Sequence, residues 1–225
     1  VIMGVEVDAY RRPVAVHIFA AHPNDGIHSN RQRVRLPMDE THPQAPLNPY
    51  GRSKLMIEQA LADYSTYAGF RSVSLRYFNA AGADEEGRIG ERHHPETHAI
   101  PLAVQTALGV RQGFKLFGDD YDTRDGTAVR DYVHVCDLAQ GHLAALSQLF
   151  GDRRGFFACN LGAGRGHSVR QVLEAIMAHS GLRLPDAAGA RRAGDPPVLV
   201  ADIARARKVL GFAPQRSDIT TIVAD

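Results

Sequence analysis

An α/β fold is predicted for this 225-residue chain by three features of its sequence. The first is an amphipathic helix running from Asn48-Pro49-Tyr50 to a stop at Gly69, since asparagine caps a helix and proline suits its first position. The second follows directly: residues 72–78 alternate β-branched and aromatic side chains with polar ones, as a parallel strand does. The third is a pair of later helices, opened by Asp137-Leu138-Ala139-Gln140 and Ser168-Val169-Arg170-Gln171, both of which read as capping boxes.

The elements can be taken in order. Residues 1–10 suit the end of a helix, and Val14-Ala15-Val16-His17-Ile18-Phe19 reads as a buried strand. In the Asn48 helix, Tyr50 and Lys54 lie four residues apart and so share one face. Ile57, Leu61 and Tyr64 prolong that face as an apolar stripe turned into the protein. Two readings of the pair stay open. An inward ammonium beside a phenol favours the phenolate and lowers the tyrosine pKa, which makes a general base. A core tyrosine beside a lysine that snorkels to solvent is the other, because Tyr-x-x-x-Lys is a short pattern that chance produces often. Asn79 ends the 72–78 strand, where open α/β sheets place ligand contacts, or else it simply turns the chain.

Residues 84–97 read as a polar loop, with Asp84-Glu85-Glu86 a solvated charge run. His98-Ala99-Ile100-Pro101 then opens a helix with Ile100, Val104, Ala107 and Leu108 on its buried side. His98 is there either an anion contact or a capping residue. Phe114-Lys115-Leu116-Phe117-Gly118 reads as a short strand, and residues 119–126 as a loop of acids and glycine. Arg130 has a planar fork suited to phosphate; the alternative is a salt bridge to Asp131 or Asp125. Asn160-Leu161-Gly162-Ala163-Gly164 is a strand end and glycine turn. Val169, Val172, Leu173, Ile176 and Met177 form a core stripe on the Ser168 helix. Arg191-Arg192-Ala193-Gly194-Asp195-Pro196 is a ligand loop or a solvated patch. A helix over 202–210 ends at Gly211, and residues 220–225 look like a final helix cut short.

Composition narrows the function classes. A 44% hydrophobic content supports a real core, and a formal charge of +1 with both signs interspersed argues against nucleic acid or an anionic membrane as partner. No apolar run is long enough to cross a bilayer, and the first residues lack the basic-then-apolar order of a signal peptide, so an unexported chain is expected. Cys136 and Cys159 share no metal or redox spacing, so a reducing, cytoplasmic setting is expected. The 11 histidines are scattered along the chain; His93-His94, His98, His134 and His142 are read as falling in separate elements, and no metal site is expected.

Three linked stretches carry a resemblance. Pro46-Leu47-Asn48-Pro49-Tyr50-Gly51-Arg52-Ser53-Lys54-Leu55 comes first, followed by Arg76-Tyr77-Phe78-Asn79-Ala80-Ala81-Gly82-Ala83. Val129-Arg130-Asp131-Tyr132-Val133-His134-Val135 then precedes Asp137-Leu138-Ala139. In order and spacing they resemble the extended short-chain dehydrogenase/reductase superfamily, and within it the UDP-glucose 4-epimerases. The resemblance implies the C-terminal part of a Rossmann NAD-binding domain joined to a smaller α+β substrate-binding domain. Residues 1–80 would be the incomplete cofactor domain. Residues 81–225 would be mainly the substrate domain, with some segments returning to the Rossmann sheet.

The implied reaction interconverts UDP-galactose and UDP-glucose with NAD as bound cofactor. Tyr50 and Lys54 would be catalytic and would touch NAD together with Tyr77 and Phe78. The UDP-sugar would meet Asn79, His98, Ala99, Lys115, Leu116, Phe117, Arg130, Arg192 and Asp195, with Leu199 tuning pocket width. In many members the tyrosine helix packs on its symmetry mate, so a homodimer is expected.

The chain departs from the pattern near its start. It opens on Val1 rather than methionine, and it lacks the Gly-rich turn that holds the pyrophosphate. Gly164-Arg165-Gly166 comes too late to serve, so an N-terminally truncated chain is expected. At Ala20-Ala21-His22-Pro23-Asn24-Asp25-Gly26 the family places a serine or threonine hydroxyl that is missing here, and Ser29 is no substitute. Leu36-Pro37-Met38-Asp39-Glu40 restores the pattern, as it would after a reading-frame slip within residues 11–35. A dehydratase or reductase of the same superfamily, and a non-catalytic remnant that binds UDP-sugars, are the alternative readings.

Overall fold

The computed structural model describes residues 38–46, 49–192 and 195–225. The strand at residues 14–19, the turn at 20–26, Ser29, Leu36-Pro37, the Asn48 cap and Ala193-Gly194 lie outside the described residues. The elements in order are α1 (Pro49–Ala68), β1 (Ser72–Tyr77), β2 (Asn79–Ala81), α2 (Ala99–Ala107), β3 (Phe114–Phe117), β4 (Val129–His134) and α3 (Val135–Phe150). β5 (Phe156–Leu161), β6 (Gly166–Ser168), α4 (Val169–Ser180), β7 (Asp186–Gly189), β8 (Val198–Leu199), α5 (Ala204–Leu210) and α6 (Ile219–Ala224) complete the chain.

The fold is α/β with mainly parallel pairing. β1 runs parallel to β5, Ser72 opposite Phe156 and Tyr77 opposite Leu161. β4 is the hub of a second sheet: its last three residues pair in parallel with β2, and its first three pair with β6 in the antiparallel sense. β8 joins β4 with Leu199 opposite Arg130, and β3 pairs with β7 in parallel. Parallel neighbours need long crossovers, so each pairing joins residues far apart in sequence.

β1 is covered on both faces, and its alternation sorts them. Leu75 and Tyr77, with Val73 packed on, join Leu138 and Ala145 of α3 and Leu210 of α5 in one apolar cluster. Arg76 points the other way, to α1. A second cluster gathers Val172, Leu173 and Ile176 of α4 with Ala103, Leu116 and Ile222. Phe78, Leu199, Ala201 and Ile203 form a third.

Helix α1 begins at Pro49 and stops before Gly69, whose φ of 65° a β-carbon would disfavour. Its buried stripe keeps the expected inward Lys54 but not the apolar residues expected to prolong it. Gly51, Lys54 and Glu58 face inward, while Ile57 and Tyr64 are exposed, Tyr64 by 64%. The physical reason is a partner no local pattern reveals. Arg76 Nε and a terminal nitrogen donate to the two Glu58 oxygens at 3.0 and 2.7 Å, and Gln44 Nε2 donates to Glu58 Oε2 at 3.0 Å. Arg76 also reaches the Glu40 carbonyl, and Glu40 Oε1 accepts from the Asn160 backbone N–H at 2.7 Å. A charged face is thereby buried because every charge on it except Lys54 is answered.

Burial pushes the Glu58 carboxyl up, but the hydrogen bonds and charge of Arg76 outweigh it and hold the group below its ordinary 4.5. A lowered folded pKa stabilises the fold above the unfolded value, and that stability is lost as pH falls through the folded one. Glu58→Gln keeps an acceptor for Arg76 and loses the charge, so a cost of about 2 kcal/mol is expected near neutral pH. Thermal melts of both proteins should converge as the pH falls below 4.5. A gap that widens on acidification would refute the assignment.

Three other elements differ from expectation. Leu108 is the C-cap of α2 and 62% exposed, because the helix ends before its stripe can bury it. Asp84 pairs with Arg88 and Glu85 with Arg216, so this charge run is tied down rather than merely solvated. Asp137 is not a cap: α3 starts earlier, at His134, whose Nδ1 accepts from the Cys136 N–H. Asp137 instead accepts from the N–H groups of Gln215 and Arg216 and from the Ser217 hydroxyl, pinning a distant loop. The Ser168–Gln171 capping box is present in full, and Gly211 ends α5 with a φ of 65°.

Candidate functional site

Two groups of side chains answer to the expected site. In the first, α1 carries Lys54 inward until it is 0% exposed, with Tyr50 half-buried one turn before it. The ammonium lies over the phenol ring, 5.0 Å from its centroid. Tyr50 OH and Lys54 Nζ are both buried and have no hydrogen-bond partner among the described residues. Burial raises the Tyr50 pKa and lowers that of Lys54, each towards its neutral form. The expected lowering of the Tyr50 pKa by Lys54 is therefore absent from this arrangement, because the ammonium sits over the ring face and desolvation opposes the phenolate. Two buried, unanswered polar atoms are costly unless a ligand meets them.

The second group surrounds a cavity of about 770 Å³. Arg130, on β4, donates to Asp195 Oδ1 at 2.6 Å and to its neighbour Val129's carbonyl at 2.8 Å. Its partner is thus neither Asp131 nor Asp125, and two of its five N–H donors are used among the described residues. Arg192 lies over the Phe117 ring, 4.2 Å from its centroid, with Lys115 Nζ 5.2 Å from the same ring. Asn79 hangs on the Asp131 carbonyl by its amide at 2.8 Å, and His98 caps α2 at the rim. Asn79, His98, Ala99, Lys115, Phe117, Arg130, Arg192 and Asp195 all line this cavity. The arrangement places two guanidinium groups and an aromatic face around a space large enough for a nucleotide.

Other predicted positions are not among that lining. Leu116 is 2% exposed and points into the core, as alternation along β3 requires. Leu199 packs against Phe78 in the third cluster. Tyr77 turns towards α3, edge-on to His142 at 5.9 Å, on the sheet face opposite the one Arg76 presents to α1. Tyr50 and Lys54 also lie outside the cavity wall.

Sequence reasoning missed two supports of the site. Asp131 is fully buried and accepts backbone N–H bonds from Ala163, Gly164 and Ala201 at 2.7, 3.0 and 3.1 Å. Burial pushes its carboxyl up to about 6 against the pull of those bonds. A β-carbon on Gly162 would come within 2.6 Å of Asp131 Oδ2, so glycine is needed for this close approach. Tyr121, beneath the Arg191 guanidinium at 4.5 Å, buries a hydroxyl that has no partner among the described residues. Its only sequence signal was an aromatic inside a polar, glycine-bearing loop.

The chain shares 57% identity over 190 residues with a UDP-glucose 4-epimerase of Rhizobium leguminosarum bv. trifolii, covering 84% of this chain and 57% of that protein. The crystal structure of UDP-glucose 4-epimerase from Brucella ovis in complex with NAD is 50% identical, with a TM-score of 0.80 over 84% of this chain and 58% of that one. The Bifidobacterium longum UDP-glucose 4-epimerase in complex with NAD+ and UDP is 41% identical, with a TM-score of 0.78 over 84% and 56%. The chain thus spans little more than half the length of the relatives it matches, and the part it shares has their Rossmann-like α/β fold. The family model described as the NAD dependent epimerase/dehydratase family matches residues 28–160, more than half of the sequence and both motif-bearing helices α1 and α3. By that match, and by its identity to those relatives, this chain belongs to the NAD dependent epimerase/dehydratase family.

Proposed function

We propose that this chain carries the sugar-nucleotide half and the catalytic base of an NAD-dependent UDP-glucose 4-epimerase. The observation that carries the reading is the convergence of Arg130, Asp195, Arg192 and Phe117, from three separated segments, on one wall of the 770 Å³ cavity. Guanidinium groups recognise a diphosphate, a carboxylate accepts from ribose hydroxyls, and an aromatic edge flanks a planar base. Similarity to relatives bearing that name supports the same assignment.

In this scheme Arg130 and Arg192 hold the diphosphate, and Asp195 both orients Arg130 and takes a uridine ribose hydroxyl. Asn79, His98 and Ala99 meet the substrate where β2 and α2 open onto the cavity, and the β3 edge at Lys115 and Phe117 borders the uracil. Tyr50 moves the proton at the sugar's 4-hydroxyl oxygen. Lys54 neighbours Tyr50 and answers hydroxyls of the dinucleotide. When bound, NAD supplies the acceptor and later the donor of hydride at the sugar carbon. Because burial favours the neutral phenol, Tyr50 needs positive charge near its oxygen before it can take a proton. A cytosolic homodimer through α1 fits the reading, and Met56, Tyr64 and Tyr67 stand exposed on that helix.

Isothermal titration with UDP, together with conversion of UDP-galactose to UDP-glucose in excess NAD, tests the assignment. Saturable UDP binding with turnover is the expected outcome. UDP binding without turnover would reduce the chain to a sugar-nucleotide binder. A folded chain that binds no UDP would overturn the reading altogether.

A further inference from the structure

The loop before α2 brings together four potential ligands that the sequence spreads over Glu91, His93, Glu96 and His98. One donor atom from each lies within 4.8 Å of all the others. His98 Nδ1 is 2.9 Å from Glu96 Oε1 and 3.1 Å from Glu91 Oε1, and His93 Nδ1 is 3.7 Å from Glu96 Oε1. Bonds of about 2.0–2.2 Å in a tetrahedral site put neighbouring donors about 3.4 Å apart, and the three measured edges bracket that spacing.

A second observation favours an ion over a simple charge pair. His98 Nδ1 is buried and makes no hydrogen bond among the described residues, although two carboxylate oxygens are close. The ring's own bonding direction misses both oxygens, so a proton there would not be shared well with either. Glu96 Oε1 is meanwhile held by the N–H groups of Thr97 and His98, each at 2.7 Å, as ligating carboxylates are held from outside.

We infer that this loop is a binding site for a divalent transition-metal ion of the Zn2+ class. Two imidazoles and two carboxylates suit such a borderline ion, and two carboxylates balance its charge. Four ligands within eight residues would let the ion clasp the loop. Glu91, Glu96 and His98 also border the large cavity, so the ion would stiffen one rim of it. The expectation of no metal site came from assigning the histidines to separate elements; the loop brings His93 and His98 together, with ring centroids 4.9 Å apart.

The test uses the full chain without an affinity tag, stripped with a chelator and titrated with Zn2+ by calorimetry. Co2+ serves as a spectroscopic probe of coordination. One equivalent of Zn2+ and the intense visible bands of tetrahedral Co2+ are expected. His93→Ala and Glu91→Gln alter exposed loop side chains and should leave circular dichroism unchanged. Each should weaken Zn2+ binding at least about tenfold, as loss of even an outer-shell partner does. Zinc binding that both variants retain at wild-type strength, or no bound zinc in the folded wild type, overturns the assignment.

Discussion

Arg130→Ala is expected to weaken UDP binding about a hundredfold, which corresponds to about 3 kcal/mol. The side chain is 12% exposed, so hydrogen bonds from it to a bound diphosphate would be made away from bulk water, and charge-assisted bonds there are the stronger kind. Removing it takes away the fork and also leaves the Asp195 carboxylate, 2.6 Å away, facing a diphosphate without its counter-ion. Both effects act in one direction. Arg130→Lys should recover part of the loss, because an ammonium restores charge but not the planar pair of donors. Calorimetric titration with UDP measures both variants, with circular dichroism as the check on folding. Unaltered UDP affinity in a folded Arg130→Ala protein would remove this residue from the site.

Asp131→Ala should be the most destabilising substitution considered, at about 3 kcal/mol, or a fall of roughly 10 °C in melting temperature for a chain of this size. The carboxylate satisfies three backbone N–H groups, from Ala163, Gly164 and Ala201, and so joins the turn after β5 to the segment after β8. Alanine would leave those donors buried and unpaired. No neighbour can move in to replace the carboxylate, because Gly162 offers no side chain and Ala201 only a methyl group. Asn79 hangs on the Asp131 carbonyl and Arg130 is its chain neighbour, so UDP affinity should fall along with stability. A melt within about 2 °C of wild type would mean that water replaces the carboxylate without cost, contrary to the argument from buried donors.

These two residues stand on either side of what was legible beforehand. Arg130 was singled out in the sequence as a phosphate ligand because its motif and chemistry are local, with a salt bridge to Asp131 or Asp125 as the alternative. The observed partner is Asp195, 65 residues away. Asp131 was read only as part of a motif and as an alternative partner for Arg130, not as a buried support. Its burial follows from β4 being the strand that β2, β6 and β8 all pair with. Sheet pairing of that kind depends on chain path and leaves no short-range mark.

Helix starts and stops are local in origin. Pro49 at the start of α1, the Ser168–Gln171 box, the Val172-Leu173-Ile176 stripe and the glycines at 69 and 211 were all readable, because each reflects backbone hydrogen bonding or φ preference within a few residues. The motifs around Tyr50, Asn79 and Arg130 were readable for a related reason: each is a short run whose residue types suit one chemistry. Tertiary structure alone decided which α1 face is buried, where the Lys54 ammonium rests, and that Asp137 ties down a loop instead of capping a helix. It alone brought Glu58 to Arg76 and His93 to His98. In each case the deciding energy is the cost of burying a charge or a polar group, and that cost is set by whatever partner the rest of the chain delivers.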